Sequence, residues 1–509
     1  MASDSPDETA FKELRAIFEN LSVYLHKDKQ IHESDQDKET EGGNGSIVDG
    51  YFEQLFEKIE GYLVSSVNSS PENVKFLSMK ASLLYEKAKI RLTRESSSDA
   101  LLMLQDTLKL IEDFADHDFI IFLYLRIVNH LSYLLSKNGR LEEARNLLEN
   151  ILYKEYSPNV VVYSTEDLFK AEEPEASLCR LKFNKLMLNN VQMLGWIYGK
   201  LGFHDLHAFM EHLYLQKQLE IEDLSVLHWT SKCCRLVIIY LTANNWIYAR
   251  YYLASVGALL SEKMGDPKST PELPQAKANL SKAWIHYGLH LFSASKKKLL
   301  EKIYDNENDT TKTEEKSQFQ VLDQHKFRGL QVTVPNVPSN FITNTQEARA
   351  LFIHTQNWLK QIRTFYTLRD YPLQYVNAVL DLSELYRFLA FYENDLESQY
   401  NVQKRRSETL EAPSTLLREV RPSCYTAVSV ELWRELAEVQ IELMGINLKR
   451  LYTYESEQET ADNIKKRIEA VTEVHDKLEV MGDTILSVQQ KQAEVGNQEA
   501  TLSSREYCP

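Results

Sequence analysis

Glycine, proline and cysteine are scarce in this chain. Its 509 residues hold 16 glycines and 13 prolines, roughly 3% each where globular proteins average about 7% and 5%. Sheets joined by tight turns use both freely, so the shortage argues against an all-β sandwich or barrel. The five cysteines (Cys179, Cys233, Cys234, Cys424 and Cys508) are odd in number and form no Cys-x-x-Cys. They make no disulfide framework and suit a reducing compartment. Positive charge is also short: 58 Lys and Arg stand against 74 Asp and Glu, a net charge of −16. Nucleic-acid binders draw most of their affinity from basic phosphate contacts, so that partner class is not expected. The apolar stretch Leu236 to Ala243, broken only by Thr242, is far below the roughly 20 residues that span a bilayer. The acidic N-terminus has neither the basic nor the apolar region of a signal peptide. These absences describe a soluble cytoplasmic chain without membrane insertion.

What is present is helix-forming. Apolar residues make up 43% of the chain and charged residues 26%, enough to bury a large core, and Leu, Glu, Lys, Gln and Ala are abundant. A helical rhythm marks residues 10–25, followed by a polar stretch over 26–50 that reads as an acidic loop. From 51 onward the helical period persists, broken by short polar connections, which implies antiparallel helical hairpins. The charged, Asn/Thr-rich stretch 304–340 reads as the linker between a repeat half at 51–303 and a helical half at 341–490. In the second half, helices are expected near 345–367, 373–410, 425–452 and 461–490. The last carries a seam from Ile464 to Val488 at steps of three and four, suited to packing on its own solenoid, with a coiled-coil dimer as the alternative. Residues 491–509 lose the pattern and are expected to be a disordered tail.

Internal repeats refine this picture. The tetratricopeptide pattern places a small residue on the first helix, a large one three later, a small turn residue, then an Ala on the second helix. Leu131, Ser132, Leu135, Gly139 and Ala144 fit it, as do Leu236, Tyr240, Asn244, Trp246 and Ala249 with the same spacings. Leu194, Gly195, Tyr198 and Gly202 open a third unit, after which Phe203 and Ala208 fall one residue out of step. The predicted fold class is therefore all-α, an irregular tetratricopeptide-like solenoid in two halves.

Enzyme signals fail. Gly195 to Lys200 resembles a phosphate loop but is one residue short and is followed by Leu201 rather than Ser or Thr. His286 and His290 have zinc-grip spacing, yet Tyr287 stands where a catalytic Glu would be. His204, His207 and His212 read as a surface cluster or hairpin packing. No catalytic residue, metal or cofactor is expected. Lys404-Arg405-Arg406 follows Glu393, Asp395 and Glu397, and intramolecular ion pairing is the plain account of that combination.

Residues 389–411 read LAFYENDLESQYNVQKRRSETLE. An aromatic pair, Glu-x-Asp-x-Glu, six residues, Lys-Arg-Arg and a later Leu-Glu on one helix resemble the kinesin-binding protein (KIF-binding protein) family. Glu347-Ala348-Arg349, Gln218-Leu219-Glu220, Trp229, Tyr240 and Ala249-Arg250 extend the resemblance, which runs from about residue 11 to about 470. The family's chain continues beyond 490, whereas this one stops in TLSSREYCP, as a short form would. The resemblance implies a monomeric, non-catalytic α-solenoid that holds kinesin motor domains on its concave face. It implies that the motor is kept off its microtubule, with consequences for organelle and axonal transport and neuronal development, and that the chain itself does not bind microtubules strongly. Gln218 carries over as a contact position. The neighbouring contact positions, expected to be polar, hold Met193, Trp196, Arg235 and Ile238. An acidic chain suits the basic track-binding surface of a motor. The alternative is a tetratricopeptide adaptor or co-chaperone gripping an acidic peptide tail, for which Arg126, Asn129 and Lys200 are the available groups.

Overall fold

In the computed structural model every described element is helical. The described residues are 6–33, 41–65, 71–94, 97–304 apart from short connecting stretches, 323–419, 426–454 and a few positions between 465 and 476. The chain divides into two compact units, Met1–Asp223 and Leu224–Pro509.

The first unit holds α1 (Pro6–Glu33), α2 (Glu41–Ser65), α3 (Pro71–Arg94), α4 (Ser97–Ile111), α5 (Asp118–Lys137), α6 (Leu141–Leu152), the single turn α7 (Thr165–Leu168), α8 (Ala176–Leu201) and α9 (His204–Leu219). Each long helix packs on its successor, and α3, α5 and α8 also pack side by side. That next-but-one contact is what a stack of hairpins produces. The N-terminal core joins Leu14, Phe18 and Leu21 of α1 to Phe52, Leu55 and Ile59 of α2 and to Phe76 and Met79 of α3. Its seal comes from the connection after α6, where the Phe169 ring stacks 4.1 Å from Phe18. The loop expected over 26–50 is therefore narrower, since α1 continues to Glu33 and α2 begins at Glu41. Val48, fully apolar and 2% exposed, gives this part of α2 a reason to be ordered.

Helix α5 is long and apolar enough to cross a membrane by length and composition, although polar residues such as Arg126 and Asn129 interrupt its apolar runs. In this fold Ile120, Leu123, Ile127 and Leu131 of α5 are buried among the neighbouring helices.

The second unit holds α10 (Val226–Thr242), α11 (Trp246–Glu262), α12 (Leu273–Tyr304), α13 (Thr345–Phe365), α14 (Pro372–Tyr392), α15 (Leu396–Glu419) and α16 (Thr426–Tyr454). The same alternation recurs: α10 packs on α12, α12 on α14 and α14 on α16, besides each helix on its successor. The single helix expected over 373–410 is two. Glu393 leaves the helical region and the Asp395 carboxylate accepts a hydrogen bond from Ser398 N at 2.7 Å, starting a new helix.

The described part of 304–340 does not behave as a spacer. The unit boundary lies near residue 223, and residues 327–342 form an extended strap bound to α11 and α12. Arg250 Nη1 donates to Val337 O at 2.6 Å and Tyr287 OH to Pro338 O at 2.7 Å. Tyr251 OH accepts from Phe327 N at 2.8 Å, and Phe327 and Ile342 are buried. Prolines suit this strap because its backbone is held by side chains rather than by a ladder. Residues 304–322, most of 461–490 and the tail 491–509 lie outside the described residues, apart from Tyr304 at the end of α12 and a few helical positions such as Ile468.

The three repeat-like hairpins share one turn. Gly139, Gly202 and Asn244 take left-handed φ values of 79°, 82° and 55°. The next residue's N–H returns to a carbonyl five positions back: Arg140 to Leu135, Phe203 to Tyr198 and Asn245 to Tyr240, at 2.8–3.0 Å. This is the left-handed helix stop that satisfies orphan carbonyls. Ala144, Ala249, Leu131, Leu194, Tyr198, Tyr240 and Trp246 are buried in the same hairpins. In the α8–α9 hairpin a methyl on Gly195 would stand 3.1 Å from Met210 Cβ, so glycine permits the close approach.

The tightest backbone approach is at Gly288 of α12. A methyl there would overlap Thr355 Oγ1 and lie 2.9 Å from Thr355 Cγ2 on α13. Gly288→Ala should cost about 1–3 kcal/mol through overpacking, whereas Gly445→Ala, with open space in mid-helix α16, should be neutral or stabilising by up to about 1 kcal/mol. Thermal melts of the two variants compare them directly, and equal melting points would contradict the close α12–α13 contact.

Candidate functional site

The first helix of each hairpin has one side covered by the second helices and leaves the other open. Four of the five expected contact residues lie on such helices. Met193 and Trp196 are one turn apart on α8. Met193 is half-buried and Trp196 is 47% exposed, with Lys200 Nζ 5.6 Å from its ring centre. Gln218 is elsewhere: it sits half-buried on α9, the second helix of that hairpin, donating to Tyr214 OH at 3.0 Å. The Gln-Leu-Glu match in the sequence located its helix but not its facing.

Arg235 and Ile238 are one turn apart on α10, and both are exposed. They line a groove of about 420 Å³ whose other wall is Asn279, Lys282 and His286 of α12. Its wall is set by Asn279, which donates to Ser231 Oγ at 3.1 Å and accepts from Gln275 at 3.1 Å. Lys282 extends over the Tyr366 ring at 4.6 Å. Val237 and Ala283 supply apolar surface, and every formally charged residue lining the groove is basic. Burial pushes the Cys234 thiol up to about 12 and lowers the pKa of His286. The thiol is thus protonated at neutral pH and offers no activated nucleophile. Among the described residues no group of His, Cys, Asp and Glu could hold a metal. The chemistry available is recognition: apolar contact, hydrogen bonding and charge.

A larger cavity of about 950 Å³ opens between α12, α14, α15 and α16. Lys296, Lys297 and Arg387 line it together with Glu384, Glu438 and Glu442. Close to this wall lies Arg406, fully buried. Its guanidinium donates to Glu435 at 2.7 Å and to Ser383 Oγ at 2.8 Å, with Glu438 and Glu442 at 3.7 and 3.9 Å. The pairing expected within the Glu393–Arg406 stretch does not occur. Glu393 is bound by Arg349 at 2.5 and 2.9 Å, and Glu397 by Arg450. Lys404 stands seven residues after Glu397, two helical turns away, while ion pairs within a helix need three or four. The motif instead ties α15 to α14 and α16, a role visible only once those helices are assembled.

The fold and its grooves define a class: a helical-hairpin repeat protein with exposed first helices. A family model described as "KIF-1 binding protein C terminal" matches residues 227–478, close to the start of the second unit. The KIF-binding protein of chicken (Gallus gallus) is 26% identical over 356 residues, covering 64% of this chain and 59% of its own length. That of zebrafish (Danio rerio) is 23% identical over 477 residues, covering 87% and 74%. A solved cryo-EM structure of KIFBP aligns over 96% of this chain and 100% of its own at 16% identity, with a TM-score of 0.41. Over residues 227–478 the chain thus matches the KIF-binding protein family. It spans about three fifths of the chicken relative's length.

The Arg406 cluster generates a pH test. Burial alone would raise the Glu435 pKa, but the hydrogen bond and charge of Arg406, with help from Ser383 and Arg387, outweigh it and hold the carboxyl below its ordinary 4.5. A depressed carboxyl stabilises the fold fully above its unfolded value, and that stability drains as pH falls through the folded value. Wild-type melting temperature should therefore drop more steeply below pH 4.5 than that of Glu435→Gln. Arg406→Ala should cost about 3–5 kcal/mol at pH 7, because Glu435 is left without its partner. Parallel pH profiles for wild type and Glu435→Gln would refute the coupling.

Proposed function

We propose that this chain binds the motor domain of kinesins along the open face of its first helices and keeps the motor off its microtubule. Relatives named KIF-binding protein support the partner. The single observation that carries the reading to a place is the α10–α12 groove, where Arg235 and Ile238 stand together and exposed beside Lys282. An open, amphipathic groove of this kind accepts the side chains of a partner helix laid along it.

The mechanism is occlusion. A motor that engages this face presents the same surface that would meet the microtubule, so the two bindings exclude each other. The acidic half of the match is not in the α10–α12 groove, which is basic. Carboxylates suited to a basic motor surface are Glu384, Glu438 and Glu442 around the larger cavity. They would steer encounter and set orientation, and their effect would weaken with salt. No bond is made or broken in this scheme, and the site of action is the cytoplasm.

Purified motor domains, microtubules and a non-hydrolysable ATP analogue test it by co-sedimentation. Wild type should move some motors to the supernatant without pelleting alone. The double variant Arg235→Glu, Ile238→Asp, both at exposed positions, should lose at least tenfold in potency while melting as wild type does. Motors that all pellet with wild type present would overturn the reading, and an equally potent double variant would overturn the assignment to this groove.

A further inference from the structure

The Lys404-Arg405-Arg406 run leaves two cations unexplained. Arg406 is buried in its carboxylate cluster, whereas Lys404 and Arg405 are exposed on α15. Among the described residues neither forms an ion pair, and the same holds for Lys360 and Arg363 on α13. In a chain of net charge −16, four cations without carboxylate partners are a local excess of the scarcer sign.

The fold gathers them around one tyrosine. Helices α13 and α15 both pack on α14, and Tyr386 of α14 stands between them. Its ring lies 5.1 Å from that of Phe352 on α13, and its hydroxyl accepts a hydrogen bond from Gln356 Nε2 at 3.2 Å. Lys360 and Arg363 follow Gln356 by one and two turns on the same stripe of α13. Helical side chains lean toward the N-terminus, which carries Arg363 back toward Gln356. On the other wall Arg406 Nε donates to Ser383 Oγ at 2.8 Å. That bond sets Arg405 beside the next turn of α14, where Tyr386 lies. Burial pushes the Tyr386 hydroxyl pKa up, and the charges of Arg405 and Arg363 pull against it, so both guanidiniums are near. Glu408 is an acid whose charge also reaches this hydroxyl. Arg363 Nε is buried without a hydrogen-bond partner, and a buried donor left unpaired is costly. Along α14, Tyr386 is turned by about 100° from Arg387 and about 160° from Glu384. The site therefore faces away from the cavity that those two residues line.

We propose that this α13–α14–α15 site binds a small soluble ligand carrying several phosphate groups. One phosphate lies between Arg363 and Arg405 above the Tyr386 hydroxyl, and further phosphates meet Lys360 and Lys404. Arginine's planar fork matches phosphate oxygens two at a time, and lysine adds a point charge. The Tyr386 hydroxyl accepts from Gln356 and keeps its own proton to donate to a phosphate oxygen. A single monovalent anion would leave most of the four cations unanswered. The same phosphates on an anionic membrane are disfavoured as the source, because a net acidic chain is repelled by that surface. The site is separate from the α10–α12 groove and does not depend on the motor reading.

Isothermal titration calorimetry of the full chain with inositol hexakisphosphate tests this. One equivalent should bind, at least tenfold more tightly than inorganic phosphate, and affinity should fall with salt. The double variant Lys404→Glu, Arg405→Glu, both at exposed positions, should weaken binding at least tenfold. Tyr386→Phe, which keeps the ring and removes the hydroxyl, should weaken it severalfold. The double variant Lys109→Glu, Lys137→Glu makes the same change in net charge at exposed positions of the first unit, and should change affinity by less than twofold. Melting curves report that each variant is folded. Absence of binding, equal binding of inorganic phosphate, or an equal loss in the two double variants would overturn the proposal. Tighter binding to phosphatidylcholine vesicles containing phosphatidylinositol 4,5-bisphosphate than to the soluble probe would overturn the assignment to a soluble ligand. None of these results bears on motor release, which the sedimentation experiment reads separately.

Discussion

The constraint on which this structure depends is the unpaired carbonyl at the end of each first helix. A helix leaves its last carbonyls without partners, and a chain with few glycines has few ways to satisfy them. At Gly139, Gly202 and Asn244 a left-handed residue turns the next N–H back to the carbonyl of Leu135, Tyr198 or Tyr240. The chain reverses within two or three residues, so the second helix must lie against the first. The large residue whose carbonyl accepts the bond is also buried in, or beside, the groove between them. Hairpin geometry, core packing and the exposure of one side of the first helix all follow from this turn.

Where hairpins do not suffice, polar side chains tie the structure. The strap at 327–342 is held by Arg250, Tyr251, Tyr287 and Ser295 rather than by backbone pairing. Arg406 binds three helices through Glu435 and Ser383 at a buried position. Such ties contribute little if replaced by well-packed apolar groups, but removing one partner leaves a buried charge or donor exposed to no solvent. They explain why the second unit can hold long helices and an extended segment in one body.

Net charge described the molecule poorly at the scale of a site. The chain is acidic overall, yet the charged residues lining the α10–α12 groove are basic, and the cavity among α12, α14, α15 and α16 is lined by both signs. Fields at a protein surface fall off within about a Debye length of 8–10 Å, so each face acts through its own groups. A partner that meets several faces is recognised by a pattern of both signs.

The helices, the hairpin turns and the repeat positions were legible in the sequence, because helical period, left-handed turn residues and small contact residues are local properties. The family resemblance was legible for the same reason: spacing along a helix survives when most side chains have changed. The break at Glu393–Asp395, the strap at 327–342 and the partners of Lys404-Arg405-Arg406 were not. Each depends on which distant helix arrives alongside, and a charge or proline in the chain carries no record of that. Facing decided the candidate contacts in the same way: Trp196, Arg235 and Ile238 came out open, while Gln218 turned to Tyr214. Sequence determined that this chain builds helical hairpins; tertiary packing alone decided which side chains face solvent, because burial is a property of neighbours rather than of residues.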